Sequence, residues 1–173
     1  IDYVKMIEKN NWITTGDNSY MVFDKKTKSF TYYQSYLDTS DNYYTGKYQI
    51  YAGEDAFEYI TEDIDELGVE KSEIRSMISM NEEYEMENLL CICLDYEELI
   101  VDGEKQDRDP WTIHYFGFYL TPEEDGETYN VLDVCNMEAA SYVTFVLEKD
   151  FKAYFGSSTS VTTSAYGTDP VTT

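Results

Sequence analysis

The sequence predicts a mainly β domain with a helical insertion. The expected architecture is an antiparallel meander closing into a barrel of about eight strands, with two short helices packed on it. Three observations predict it. Short segments of alternating polar and apolar residues recur along the chain, separated by turn residues. One stretch between them switches to helical spacing. Aromatic residues are abundant, with 18 Tyr, 8 Phe and 2 Trp in 173 residues, and these types favour strands. An open, strongly curved antiparallel sheet over the helices is the alternative architecture.

Taken in order, residues 1–10 read as a lead-in with a short helical turn, Val4 and Ile7 facing inward. Trp12 to Thr15 reads as a first short strand, ended by the turn residues Gly16, Asp17 and Asn18. Ser19–Asp24 and Lys28–Ser35 alternate and form a hairpin through Lys25, Lys26 and Thr27, with Tyr20 and Val22 on one face and Met21 and Phe23 on the other. Asp38–Asn42 reads as a polar loop. Tyr43–Tyr51 is the next strand, in which Gly46 marks a bulge or a close approach.

The period then changes. Phe57, Ile60, Ile64 and Leu67 recur at intervals of 3, 4 and 3, one face of an amphipathic helix. Glu54, Asp55 and Glu58 suit the positive end of its dipole, and Gly68 stops it. A second short helix is predicted over residues 70–80 with Ile74, Met77 and Ile78 inward, so the insertion spans 53–80. Leu89–Leu94 is apolar on both faces and needs cover on both. The barrel interior is expected on one side of it and the helices on the other. Asp95, Tyr96 and Glu97 read as a turn into Glu98–Val101, and Asp102-Gly103 turns the chain again. Trp111–Leu120, Tyr129–Cys135 and Ser141–Leu147 complete the strands, with Thr121–Gly126 as a loop. Residues 11–155 are thus expected to make one domain, and 156–173, rich in Ser and Thr, a flexible tail or linker.

The formal net charge is −23. Residues 1–50 balance, but residues 51–109 hold 20 acidic residues against Lys71, Arg75, Lys105 and Arg108, a net of −16. Such a field repels nucleic acid and anionic lipid and attracts cations or a basic protein partner. There is no Gly-rich phosphate loop and no basic aromatic patch, so neither a nucleotide nor any other cofactor is expected. No apolar run is long enough to span a membrane. The chain begins at Ile1 without a recognisable leader and is expected to be a trimmed or mature segment, with any anchor lying outside it.

Cys91 and Cys93 share one strand face, from which either sulfur can reach Cys135 on a paired strand. The simpler expectation is three small buried hydrophobes. Zinc is disfavoured because close-spaced ligand pairs are lacking. His114, the one histidine, shares a face with Phe116 and Phe118 and reads as a core residue. Paired with Cys91 or Cys93 it also forms a conceivable nucleophile and base. Asp102, Glu104, Asp107 and Asp109 suggest weak divalent binding without matching an EF-hand loop. Asp133 alternates with Val131 and Cys135 and is read as an acid that points into the interior, or else as an ordinary exposed one. If buried it needs a partner such as Arg75 or Arg108, or a ligand.

Trp12 on a short strand, a turn, and then Tyr20-Met21-Val22-Phe23-Asp24 resemble the opening of a lipocalin-like (calycin) barrel. Gly46-Lys47-Tyr48-Gln49-Ile50 is similar to the Gly-x-Tyr strand of such barrels. Tyr115-Phe116-Gly117-Phe118-Tyr119 and Asn136-Met137 through Tyr142–Phe145 resemble extracytoplasmic domains of gut Firmicutes, which often follow a membrane anchor. The resemblance covers about residues 11–150. It departs from the lipocalin pattern in having Asn10-Asn11-Trp12 where Gly-x-Trp is usual, and in the 53–80 insertion.

Together these readings predict an extracytoplasmic, monomeric, non-catalytic binding module. Its ligand would be a small amphiphilic molecule or glycan, or its rim would meet a protein. The expected lining is Trp12, Tyr48, Trp111, Tyr115 and Tyr119, with Asp133 as a polar contact. The alternatives are a structural or accessory domain of a bacterial cell-surface protein, and a hydrolase using buried carboxylates.

Overall fold

The computed structural model describes residues 1–155; residues 156–173, read above as a tail or linker, lie outside the described residues. The strands are β1 (Trp12–Thr14), β2 (Tyr20–Asp24), β3 (Ser29–Ser35), β4 (Asp38–Ala52), β5 (Leu89–Val101), β6 (Glu104–Lys105), β7 (Trp111–Leu120), β8 (Glu123–Glu124), β9 (Glu127–Thr128), β10 (Val131–Asn136) and β11 (Ser141–Leu147). Eight of them, β1 to β5 with β7, β10 and β11, pair antiparallel in a ring. The ring closes where β1 meets β11, with Trp12 opposite Leu147 and Thr14 opposite Phe145. Closure leaves no long open edge. The predicted meander and barrel are therefore present, and the open-sheet alternative is not.

Alternation sorts the side chains of each strand. On β5, Leu90, Ile92 and Leu94 enter the barrel core with Trp12, Met21, Phe30, Tyr96, Tyr115, Leu132 and Phe145. Leu89 and Cys91 face outward and meet Ala56, Phe57, Ile60 and Ile74 from the helical insertion. Both sides of this strand are buried, as its two apolar faces require. A barrel of eight strands has an interior just wide enough for side chains to fill. Here large aromatics fill it.

The insertion is three short pieces and a helix: α2 (Glu54–Glu58), a π turn over Tyr59–Asp63, a 3-10 turn over Asp65–Leu67, and α3 (Lys71–Met80). The single predicted helix from 53 to 67 is broken at Ile64, whose backbone leaves the helical region. Glu70 and Glu73 form a capping box that starts α3. Two further helices bracket the barrel. Helix α1 (Tyr3–Glu8) begins at Asp2, whose side chain accepts from the Lys5 amide. It lies across the end where β2 turns into β3. There the Trp12 indole donates to the Ile7 carbonyl at 3.0 Å, the Tyr48 hydroxyl donates to Glu8 at 2.7 Å, and Lys28 pairs with Glu8 at 3.0 Å.

Helix α4 (Glu148–Tyr154) has no counterpart in the elements predicted from sequence. Its Phe151 is buried against Ile13, Val131 and Val146, which stabilises it by about 1.5–3 kcal/mol. Its acids also tie down neighbours. Glu148 accepts from the Tyr20 hydroxyl at 2.9 Å, and Asp150 accepts from the Asn130 amide at 2.8 Å.

Three local expectations are corrected. Asp38–Asn42 is not a loop but the first third of β4. It is held by backbone pairing at its start and by Asp102 and Gly103 amides that donate to Asn42 and Asp41, so it needs no apolar face. Asp95–Glu97 is not a turn, and β5 runs straight through it. Thr45 lies opposite Glu98 and Gly46 opposite Tyr96, so Glu97 is the extra residue of a β-bulge. The 121–126 loop contributes to the small β8–β9 hairpin.

Gly46 is required by this bulge. A Cβ there would lie 1.8 Å from the Asp95 carbonyl oxygen. Gly46→Ala is expected to lower stability by about 2–3 kcal/mol through forced backbone displacement, read as a shift of the urea midpoint at constant slope.

A second expectation concerns acid. Burial raises the carboxyl pKa of Glu8, but hydrogen bonds from Tyr48 and Lys28 outweigh it and the net shift is downward. Glu148 is likewise lowered: burial raises it, and Lys152, Tyr20 and Asn11 more than offset that. A lowered native pKa gives stability that is present above the ordinary glutamate range and lost as pH falls through the native value. Melting temperature should therefore drop below about pH 4, and the drop should be shallower in Glu8→Gln. Identical profiles for the two proteins would refute the assignment.

Candidate functional site

The two ends of the barrel differ. The antiparallel course puts α1, the 25–28 turn and the helical insertion at one end. The 15–19, 36–37, 102–110 and 137–140 connections gather at the other. The α1 end is closed: Tyr3 lies 4.9 Å from Tyr119, ring to ring, and Tyr119 meets Trp12 edge-on at 5.9 Å. The opposite end is the mouth.

Aromatic rings line the mouth in a stack. Tyr96 lies parallel to Trp111 at 4.7 Å, Phe30 meets Tyr96 at 5.1 Å, and Tyr44 meets Trp111 at 5.3 Å. The Arg108 guanidinium covers the outer face of Trp111 at 3.7 Å, a cation–π contact. Beside the stack is a cleft of about 250 Å³ between β3, β4 and β5. Tyr32, Tyr43 and Tyr44 supply rings and hydroxyls, Leu99, Ile100 and Val101 supply apolar surface, and Ser19, Gln34 and Asn42 supply polar groups. A more polar recess of about 330 Å³ adjoins it, lined by Thr14, Asp17, Tyr32 and Thr144. Asp17 is held in place by the Thr14 hydroxyl and by the Ser19 hydroxyl at 2.8 Å.

The phenols behind the mouth are buried together. Burial pushes Tyr32 far above the ordinary phenol range. Its neighbour Tyr115 adds to the shift, and a hydrogen bond with Ser19 subtracts from it. Tyr96 is raised by burial first and by Tyr32 and Tyr44 next, while a hydrogen bond with Tyr115 subtracts; Tyr115 is raised by burial first and by Tyr96 second. Neutral hydroxyls in a low-dielectric interior give a row of polar groups without charge.

The structure distributes the sequence-predicted site residues over four places. Trp12, Tyr48 and Tyr119 sit at the closed end, where they pack the core and hold α1 and Asn130. Tyr115 lies deep in the interior against Phe145, at 5.3 Å. Trp111 belongs to the mouth. Asp133 does not point into the barrel. On β10 it is Leu132 and Val134 that enter the interior, and Asp133, one residue out of step, faces outward. Its partner is the Tyr84 hydroxyl, which donates at 3.1 Å. Neither arginine takes that place, since Arg75 lies over Phe57 and Arg108 over Trp111. Tyr32, Tyr44, Tyr96 and Arg108 complete the mouth. Tyr32 and Tyr44 stand in the tyrosine-rich N-terminal third, a visible signal. Tyr96 is hidden from a sequence reading by the turn-like residues on either side.

His114 is buried on the outer wall. Its Nδ1 lies 2.6 Å from Glu138, which also accepts from the His114 amide at 2.7 Å. Its Nε2 lies 3.5 Å from the Tyr59 hydroxyl, and Tyr59 stacks on Tyr51 at 4.0 Å. Cys93 is directly across the ladder from His114. Burial raises its thiol to about 11, so it is held protonated. Cys91 is opposite Phe116, and Phe116 is opposite Cys135. Two strand spacings of about 4.8 Å put the sulfurs of Cys91 and Cys135 beyond disulfide reach, and all three cysteines are free. Among the described residues no three His, Cys, Asp or Glu side chains converge on a metal position, the 102–109 acids included. Among the described residues, no helix is long and apolar enough to cross a membrane.

The fold has the general form of a calycin or lipocalin-like barrel, closed, antiparallel and eight-stranded. No protein-family model, curated protein or solved structure matches the chain. The likeness therefore stops at architecture and extends to no particular group of bacteria.

The buried phenols have a measurable consequence. A raised native pKa gives stability that is fully present below the ordinary phenol range near 10 and lost as pH rises toward the native value. Absorbance at 295 nm (roughly the tyrosinate band) should show exposed tyrosines titrating near pH 10. Tyr32, Tyr96 and Tyr115 should ionise only in a later, cooperative step that coincides with loss of circular dichroism. A single smooth titration of all 18 tyrosines with the fold retained would overturn this picture.

Proposed function

We propose that this chain is a non-catalytic binding module of the extracytoplasmic space that takes a small amphiphilic molecule at the barrel mouth. The observation that carries the reading is the pairing of a filled interior with an apolar, tyrosine-rimmed cleft at one end. The core leaves the ligand at the rim, unlike a carrier that swallows it. Leu99, Ile100 and Val101 suit a short apolar chain, and the Tyr32, Tyr43 and Tyr44 hydroxyls with Asn42 and Gln34 suit a polar head. The polar recess at Asp17 is open to a sugar head group.

One feature supports placement outside the cytoplasm and a second is compatible with it. The acidic surface suits an exposed, soluble chain. Cys91 and Cys93 are buried, and burial raises both thiols, which makes them inert toward oxidants. The filled interior also favours a second reading, an accessory domain of a bacterial surface protein in which the barrel is a rigid spacer.

Octyl glucoside, kept below its micelle threshold, is a suitable probe. It should shift the emission of Trp111, and Ile100→Asp should weaken the response about tenfold or more. An unchanged emission in the wild-type protein, or equal binding by the variant, would favour the spacer. An equal response to methyl glucoside would assign the cleft to sugars alone.

A further inference from the structure

A second recess lies on the outer wall. It is a cleft of about 210 Å³ between α3 and the outward faces of β7, β10 and β11. Phe116 and Phe118 form its floor, and Met77, Met137 and Tyr142 its walls. Tyr84 lies flat on Phe118 at 4.0 Å and donates to Asp133 Oδ2. The other Asp133 oxygen accepts no hydrogen bond from the described residues.

The apolar surface continues past the cleft. Tyr142 is 87% exposed and Met80, one turn beyond Met77, is 82% exposed. Large apolar side chains left in water beside a groove mark an interaction surface. Methionine adapts its shape to varied partners. The volume suits one bulky side chain of a partner rather than a whole small molecule.

Charge selects the partner. The cleft is lined by two carboxylates, Glu73 and Asp133, and by no cation. The two cations of α3 are turned the other way: Lys71 and Arg75 both lie over the Phe57 ring, at 5.9 and 5.2 Å. Residues 110–150 carry eight acids and only Lys149. Apolar floor, methionine walls and an incompletely bonded carboxylate are the complement of an amphipathic segment with basic flanks.

We propose that this cleft docks a basic amphipathic segment of a partner protein. One apolar anchor enters over Phe116, beside the Tyr84 ring that covers Phe118, and a Lys or Arg pairs with Asp133. Tyr142 also borders the polar recess at Asp17, and the docking surface shares no other lining residue with the mouth.

A fluorescent Lys/Leu peptide with an amphipathic helical pattern is the probe, at about 0.15 M salt to screen the diffuse field. A scrambled peptide of equal charge is its control. The amphipathic peptide should bind at least about tenfold tighter than the scrambled one. Asp133→Asn and the fully exposed change Tyr142→Ser should each weaken it severalfold, while Glu124→Gln on the distant hairpin should not. Octyl glucoside binding at the mouth should be unaffected by Asp133→Asn, since Asp133 lines neither the tyrosine cleft nor the Asp17 recess. Equal binding of both peptides, equal losses in Asp133→Asn and Glu124→Gln, or no binding at all would overturn the proposal. Circular dichroism of each variant separates lost docking from lost fold, and Tyr142→Ser removes only exposed surface.

Discussion

Burial of β5 on both faces is the constraint on which the rest of the structure depends. Its inward Leu90, Ile92 and Leu94 belong to the barrel core, and its outward Leu89 and Cys91 belong to the layer beneath the helices. No other strand links the two hydrophobic layers so completely. The strand pairs with β4 along most of its length and with β7 on its other side, so it also joins the two halves of the ring. The helical insertion is packed where it is because this strand cannot be left wet on either flank.

Filling the barrel with aromatics has two effects. It makes a rigid interior with little room for a guest, and it brings phenolic hydroxyls into a dry space where they stay neutral. Helix α1 closes one end through Trp12, Tyr48 and Tyr119. The other end is left as a shallow, tyrosine-rimmed surface under Arg108. Recognition is left to surfaces outside the core, the rim and the outer wall among them. Rim and wall differ in chemistry: the rim has hydroxyls and amides beside aliphatic side chains, the wall has methionines and carboxylates.

Long, strongly patterned elements are legible in the sequence. The bounds of β7 and β11 and the core of β5 follow from alternation, and α3 follows from its helical period. The parts that escape are those where the local signal is weak or points the wrong way. Asp38–Asn42 and Asp95–Glu97 are made of turn-prone residues, yet the ladder between β4 and β5 carries Asp95–Glu97 as strand, and pairing with β3 and the Asp102 and Gly103 amides do so for Asp38–Asn42. Helix α4 is too short for a clear period and depends on Phe151 finding a pocket. The position of Asp133 turns on a single residue of strand parity, since a shift by one exchanges interior for exterior.

By itself the sequence determined that this protein is a mainly β, antiparallel fold with a helical cover, that it is strongly acidic, and that it is rich in aromatics. These are properties of composition and period, and each residue carries them wherever it lies. Only the tertiary structure decided which aromatics fill the core and which form the rim, and which carboxylate stands beside an apolar groove. Those assignments depend on closure, bulge and register, which are set by contacts between residues far apart in the chain.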